Sequence, residues 1–548
     1  MKLVSLKILG KNFRSLTANH LYKFNVTERE SRLSAKCFAG LNGSGKSNML
    51  EVISEIFYYL DHSHLLHGDK NQKEGKGFGF ELEYHLPMKE WDIEALYGTP
   101  IVSEKWMHIQ IKKPINEVAE YSFKPIGGDD KEYRTVEKGS ELLLPKNIIA
   151  YSSGQNELIS NPFYKLKYHY FNEIEKLNGN NETSDRLFFI DQSNNFNVFI
   201  SNFLIGDERK LKVIKVVYAI EGLSSFRITI NDQDYWNKKI QFSDEIQKII
   251  SKLKACSTCW DYQEVYGKKK RHQFVFDFSV NKGTVSAFKF HFENSAMNLF
   301  KAFYHLDMLN IHMQQKGILN LVQNGPKWLN LSDEIPAISP DEQVFRIEKI
   351  KINKVIDKDS SKTIPINYKN LSDGEHQFNE VIGSMMLIDE PGSLLLYDEP
   401  DTHFNPKWRS SIMSLFNKMA AISYDKDGNI TKVQDQEVIL TTHSPFAISD
   451  SYKEDVYIFE KTENGVVFSA PKIPTYGASV SVILEHVFMK DKTIASISNQ
   501  ELENIKAMAN SPEGIEEARE HLIGFGESIE KFNAVRYLRA REKEFTQD

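Results

Sequence analysis

Four short segments carry the residue types that chemistry on a phosphorylated substrate needs. The first, Gly40-Leu41-Asn42-Gly43-Ser44-Gly45-Lys46-Ser47, matches GxxxxGK[ST] in full. Its glycines let consecutive backbone N–H groups turn toward phosphate oxygens, Lys46 reaches the β/γ-phosphates, and the Ser47 hydroxyl ligates Mg²⁺. Asn42, Gly43, Ser44, Gly45, Lys46, Ser47 and Asn48 are therefore expected to line a nucleotide site. The second segment is Asp398-Glu399, delivered by the apolar run Leu394-Leu395-Leu396-Tyr397. Asp398 is expected to hold the Mg²⁺ shell, and Glu399 to orient and deprotonate an attacking water. The third is His443, at the end of the β-rich run 437–442, read as a sensor that donates to the transferring phosphoryl group. The fourth is Ser372-Asp373-Gly374-Glu375, a Ser-x-Gly turn at a predicted helix start, whose hydroxyl, N–H groups and dipole suit a γ-phosphate.

Blander readings exist for each. A glycine-rich turn with an incidental lysine is uncommon once strand and helix flank it, and an acidic strand end is ordinary until it is paired with a phosphate loop. A lone histidine is more often a satisfied polar residue than a catalytic one.

These side chains must be positioned by strands and helices. Residues 33–39 read as a strand and 49–60 as an amphipathic helix, which gives strand, loop, helix around the phosphate loop. Residues 393–397 read as a buried central strand, and its C-terminal end is where α/β sheets place ligands. Residues 147–152 read as a further strand followed by Gln155, which is placed to ligate Mg²⁺ or the lytic water. Residues 375–387 read as the helix behind the Ser-x-Gly turn.

Taken together, these motifs resemble the Walker A, Q-loop, signature, Walker B and switch-histidine motifs of ABC-type ATPase heads. Within that superfamily the chain is most similar to the soluble SMC-like and OLD-like branch. Asn12-Phe13-Arg14-Ser15-Leu16 resembles the arginine-bearing opening of those heads, which implies a nucleotide-binding role for Arg14. Asp398-Glu399-Pro400-Asp401-Thr402-His403-Phe404-Asn405-Pro406, with LSDGE in place of LSGGQ, is typical of the OLD-like branch; Asn405 stands where transporter heads carry the D-loop aspartate. The full length and Thr475-Tyr476-Gly477-Ala478-Ser479 resemble the PtuA-type ATPases of Septu and retron-associated anti-phage systems. The resemblance implies ATP and Mg²⁺ as cofactors and an ABC-type P-loop head, α/β, with a mixed sheet flanked by helices and a β-rich N-lobe. It also implies that heads pair as a homodimer or higher even-numbered oligomer, with Ser372, Asp373, Gly374 and Glu375 supplied in trans.

Composition narrows the partners. Among 548 residues, 68 basic and 75 acidic side chains leave a net charge of −7. The whole chain is no global polyanion binder, so any nucleic-acid contact must be local. No run of 18 apolar residues exists, and Lys2, Lys7 and Lys11 break up the N-terminal segment, so no membrane span or signal peptide is expected. Three cysteines fit a reducing compartment, and a bacterial cytoplasmic protein is the simplest expectation. Cys256-Ser257-Thr258-Cys259 has the spacing of a zinc hook but no flanking heptads, so a plain thiol pair is the expected reading.

Along the chain the expected organisation is an ATPase N-lobe at 1–155 and an α+β insertion at 156–365 for partner or nucleic-acid contact. A C-lobe at 366–490 carries signature, Walker B and switch histidine, and a charged helical segment fills 491–548. Within the insertion, 296–324 reads as a helix and 272–292 as a hairpin turning at Asn281-Lys282-Gly283. Lys268-Lys269-Lys270-Arg271-His272 reads as a solvated loop or a phosphate contact. The interleaved Tyr164, Lys165, Lys167, Tyr168, His169 and Tyr170 read as a core-facing helix or a stacking surface for single strands. Met297, Met308 and Met313 read as core filler.

Two function classes follow. The first is an ATPase, not itself a nuclease, that controls a separate nuclease in a defence module. OLD-like relatives that cut DNA carry a Toprim domain, whereas the residues after His443 show no acidic metal cluster, and no HNH motif is visible. The resemblance implies a PtuB-like HNH partner and, in retron systems, a reverse transcriptase with its RNA–DNA product. The alternative is an SMC-like clamp or repair ATPase acting on DNA ends.

Overall fold

A computed structural model describes the chain except residues 28, 66–77, 98–104, 128–131, 137, 155–157, 176–184, 234–237, 266–270, 325–328, 358–361, 490–493 and 548. Gln155, Lys268, Lys269, Lys270 and the predicted loop at 70–76 thus lie outside the described residues.

The apolar runs assemble one seven-stranded mixed sheet. Its order is Gly465–Ser469, Val456–Thr462, Ser34–Ala39, Glu437–Thr441, Leu394–Asp398, Ile148–Ser152, Leu187–Ile190. All neighbouring pairs are parallel except the first, an antiparallel hairpin. Burial on both faces explains why Leu394–Asp398 and Ile148–Ser152 show no polar alternation: every residue in both is buried. Helix Lys46–Leu65 follows the phosphate loop and packs against this sheet.

Two antiparallel sheets accompany it. Residues between 2 and 136 form six strands in the order Leu21–Lys23, Lys2–Leu9, Gly79–Met88, Lys105–Lys113, Glu120–Pro125, Arg134–Val136. The alternation of buried and half-buried residues from Phe80 onward in Gly79–Met88 marks a sheet with one core face. Residues between 220 and 367 form five strands in the order Cys259–Val265, Arg271–Ser279, Ile220–Asn231, Phe345–Asp357, Lys362–Asn367. A continuous apolar core joins all three sheets, whereas helices Ser496–Met508, Pro512–Ile523 and Ile529–Gln547 enclose a small core of their own. Among the described residues no helix is long and apolar enough to cross a membrane.

Two expectations are corrected. The hairpin at 272–292 is a strand, Arg271–Ser279, followed by a helix, Lys282–His291. Asn281 does not sit in a tight turn; its side chain accepts the Thr284 N–H at 3.0 Å and caps that helix. The helix at 296–324 is split into Ala296–Met308, a tight turn at Leu309–Met313, and Lys316–Asn324. Asn310 breaks it by binding the Phe345 carbonyl and N–H across the fold. Of the two readings for residues 164–170, the core-facing helix is the one observed. Tyr168 and Tyr170 are buried, Tyr170 donates to Asp61 at 2.7 Å, and Lys167 pairs with Asp307 at 2.5 Å. Met297, Met308 and Met313 are buried as core filler. Cys256 is buried, which pushes its thiol up to about 12, whereas Cys259 is exposed.

One ion pair lies inside the central sheet. Lys36 and Glu437 face each other at 3.0 Å, 1% and 0% exposed, and Glu437 also accepts the Leu3 N–H at 2.7 Å. Lys36→Met should cost about 3 kcal/mol, because it strands a buried carboxylate. Denaturant unfolding measures the loss.

Candidate functional site

Register puts the candidate site residues at one level. Asp398 pairs with Thr441 on one side and with Ser152 on the other, and Thr441 pairs with Phe38, just before Gly40. The C-terminal ends of four parallel strands therefore meet the phosphate loop, the position α/β sheets use for ligands.

The loop leaves strand Ser34–Ala39 through Gly40 at φ 141°, where a Cβ would sit 2.6 Å from the Phe459 carbonyl oxygen. It enters the helix through Gly45 at φ 95°, where a Cβ would lie 2.9 Å from Ser15 Oγ. Only glycine permits both. Ser15 in turn accepts Asn48 Nδ2 at 2.6 Å, so the 12–16 segment braces the helix start. Arg14, at φ 49°, is held by Glu51 of the same helix, with Nε–Oε2 at 2.6 Å and Nη2–Oε1 at 2.7 Å. It is placed beside the loop and bound to a carboxylate.

Lys46 is buried, and its ammonium donates to the Gly40 and Leu41 carbonyls at 3.1 and 3.2 Å. It also lies 3.1 Å from His443 Nε2. An ammonium only donates, so Nε2 accepts and the ring is neutral. Burial, and then Lys46, hold the His443 pKa below its usual value; burial likewise lowers that of Lys46, against the pull of Glu399 and Asp398. Ser47 donates to Asp398 Oδ1 at 2.9 Å. Thr441 donates to the same oxygen at 2.5 Å and accepts the Glu399 N–H at 3.0 Å.

Glu399 stands at φ 49°, a left-handed conformation that costs a side-chain-bearing residue about 1–2 kcal/mol. The Thr441 hydroxyl and the His443 N–H, which donates to Glu399 Oε2 at 3.2 Å, hold it there. Burial pushes the Glu399 carboxyl up to about 7; Lys46 opposes this, and Asp398 and Asp401 add to it. A carboxyl poised near neutrality beside a phosphate loop is suited to general-base work.

The residues fit ATP and Mg²⁺. Ser47 and Asp398 converge as two oxygen donors of the kind Mg²⁺ takes, and Ser44 Oγ in the loop is buried with no hydrogen-bond partner among the described residues. Gln155 lies outside the described residues.

Ser372 lies elsewhere. It caps helix Asp373–Phe378, which continues through a π turn, Asn379–Gly383, into Ser384–Met386. Its N–H and hydroxyl donate to Glu375 Oε2 at 2.8 and 2.9 Å, a reciprocal capping box. Ser372 and Asp373 are exposed, and among the described residues no hydrogen bond or ion pair joins Ser372, Asp373, Gly374 or Glu375 to the phosphate loop. The helix is instead tied to the Asp398–Glu399 turn: Gln377 donates to the Tyr151 hydroxyl at 3.0 Å and accepts the His403 N–H at 2.7 Å. Asn405 caps the next helix by accepting the Trp408 N–H at 3.0 Å.

Sequence reasoning missed Thr441 and Gln377. Thr441 carried a signal, as the last residue of a buried apolar run beside the Walker B strand; Gln377 carried none.

A family model described as "AAA domain, putative AbiEii toxin, Type IV TA system" matches residues 262–449. No curated protein matches the chain. The match spans Ser372, Asp398, Glu399 and His443, and the phosphate loop precedes it. With that loop meeting Asp398 and Glu399 at one sheet end, the match supports a P-loop ATPase family for this chain.

Proposed function

We propose that the chain is the ATP-hydrolysing subunit of an anti-phage defence system, pairing head to head and controlling a separate HNH-type, PtuB-like nuclease. In retron systems a reverse transcriptase and its RNA–DNA product join the assembly. The reading rests on one observation above the rest: Lys46, Ser47, Asp398, Glu399 and His443 converge, while among the described residues the exposed Ser372 turn makes no bond to that centre in its own chain.

In this reading ATP binds along the loop, with Lys46 and the loop N–H groups on its phosphates. Ser47 and Asp398 would hold Mg²⁺, which would offset phosphate charge. Glu399 takes the proton of a water as its oxygen bonds to the γ-phosphorus, and the bond from that phosphorus to the ADP oxygen breaks. His443 orients Glu399 and faces the same phosphoryl group. The Ser372 hydroxyl and the helix N-terminus behind it close the site of a second copy, so ATP joins two heads and hydrolysis releases them. Residues between 156 and 365 are the region assigned to partner contact.

Ser372→Arg tests the composite site. Turnover should fall at least about tenfold, the loss of a positioned transition-state donor, while ATP binding to an isolated head survives. Unchanged turnover would remove the case for a second subunit.

The pH profile gives a separate test. Glu399 must be ionised to accept a proton, so kcat/KM should rise with pH through a limb near pH 7 and level off above it. A profile flat from pH 5 to 9 would rule out Glu399 as the base. ATP-dependent, salt-sensitive DNA binding by the chain alone would favour the clamp alternative.

A further inference from the structure

The Ser372 turn carries two carboxylates, Asp373 and Glu375, on either side of Gly374, and Asp373 is exposed. At the positive end of their own helix both are well placed. The same charges repel the γ-phosphate that a second head would bring to Ser372. An acidic turn with that task needs a cation close by.

One comes from a distant part of the chain. Lys354, in strand Phe345–Asp357 of the five-stranded sheet, donates to Glu375 Oε1 at 3.4 Å. Among the described residues it is the one cation within salt-bridge distance of Glu375. Lys369, four residues before Asp373, rests over the Phe196 ring at 5.8 Å.

The Glu375 carboxylate therefore has two tasks. Oε2 accepts the Ser372 N–H at 2.8 Å and the Ser372 hydroxyl at 2.9 Å, while Oε1 faces Lys354. Lys354 is itself anchored, because its ammonium donates to the Tyr218 carbonyl at 2.7 Å, at the C-terminal end of helix Glu208–Tyr218 where the dipole favours a cation. The Tyr218 ring is fully buried, and its hydroxyl donates to the Glu375 carbonyl at 2.9 Å. A strand and a helix from the region between 156 and 365 thus grip one residue of the Ser372 turn, the first by its carboxylate and the second by its backbone.

We propose that Lys354 is a positioning residue for the shared ATP site. It offsets the charge of Glu375 and fixes the carboxylate that shapes the Ser372 turn, so that an acidic turn can receive a phosphate. The inference rests on the paired-head reading above.

The test uses the full chain and compares Lys354→Gln and Lys354→Met, which remove the charge, with Lys354→Arg, which keeps it. The Lys354 and Glu375 side chains are 31% and 16% exposed, so the uncharged variants seal no lone charge inside the fold, and melting curves check each chain. ATP-driven pairing measured by sedimentation should weaken about tenfold in both uncharged variants, and turnover should fall with it. ATP binding to dilute, unpaired heads should stay at the parent's value. Lys354→Arg should pair as the parent does. Added salt should narrow the gap between Lys354→Gln and the parent, because it screens the repulsion between Glu375 and phosphate. Combining Lys354→Gln with Glu375→Gln should recover most of the lost pairing, a rescue that a lysine needed only for folding would not give. Parent-like pairing by both uncharged variants, a Lys354→Arg chain as weak as Lys354→Gln, or a double variant no better than Lys354→Gln would each overturn the role of Lys354 while leaving paired heads intact. A parent that never pairs on ATP, with turnover unchanged by Ser372→Arg, defeats the paired-head reading and this inference with it.

Discussion

Glu399→Gln should hydrolyse ATP at least about a hundredfold more slowly than the parent chain while still binding it, the usual scale for removing a positioned general base. The swap keeps the side chain's size and an acceptor for the His443 N–H, now at 3.2 Å from Glu399 Oε2, so the turn should keep its shape. What it removes is a carboxylate that burial has brought near neutral pKa. Loop contacts through Lys46 and Ser47 are untouched, so binding measured with a fluorescent ATP analogue should persist. Size-exclusion chromatography with ATP should then show a trapped pair of heads. Normal turnover by this variant would mean that another group takes the proton.

Lys46→Ala should weaken ATP binding by at least about a hundredfold, the loss of a desolvated charge-assisted contact. Lys46 is buried with its ammonium resting on the Gly40 and Leu41 carbonyls, at the mouth of the loop where phosphates belong. Burial already lowers its pKa, so the fold gives up favourable solvation to keep this cation there. Alanine removes the charge without disturbing helix Lys46–Leu65, since alanine is a strong helix former. Calorimetry should register no ATP binding at concentrations that saturate the parent, alongside an unchanged melting curve. Retained affinity would show that the loop's backbone donors suffice.

Much of the centre was legible because the relevant signals are local. A strand of continuous apolar residues ending in two carboxylates reads as buried wherever it falls, and GxxxxGK[ST] fixes its own turn through Gly40 and Gly45. Where side chains chose distant partners, the reading failed. Asn310 looks helical until it binds Phe345 across the fold, whereas Asn281 looks like a hairpin residue but its side-chain oxygen caps a helix through a local contact with the Thr284 N–H. The tyrosines at 168 and 170 alternate with basic residues in the sequence, and both rings turn inward, Tyr170 onto Asp61, as the core-facing reading of that helix has it.

The chain's own residues determined the phosphate loop, the carboxylate pair, the histidine and the Ser-x-Gly turn, because each is a run of neighbours whose backbone needs and chemistry are set within a few residues. Tertiary structure alone decided three things. Parallel register set Thr441 beside Asp398 and gave it both a carboxylate and the strained Glu399 N–H to hold. Burial, a property of everything packed around a group, moved Glu399 toward neutrality and His443 away from charge. And the Ser372 turn came to rest facing outward, tied through Gln377 to the turn that carries Glu399, because the helix behind it packs on a core assembled from segments far apart in the chain.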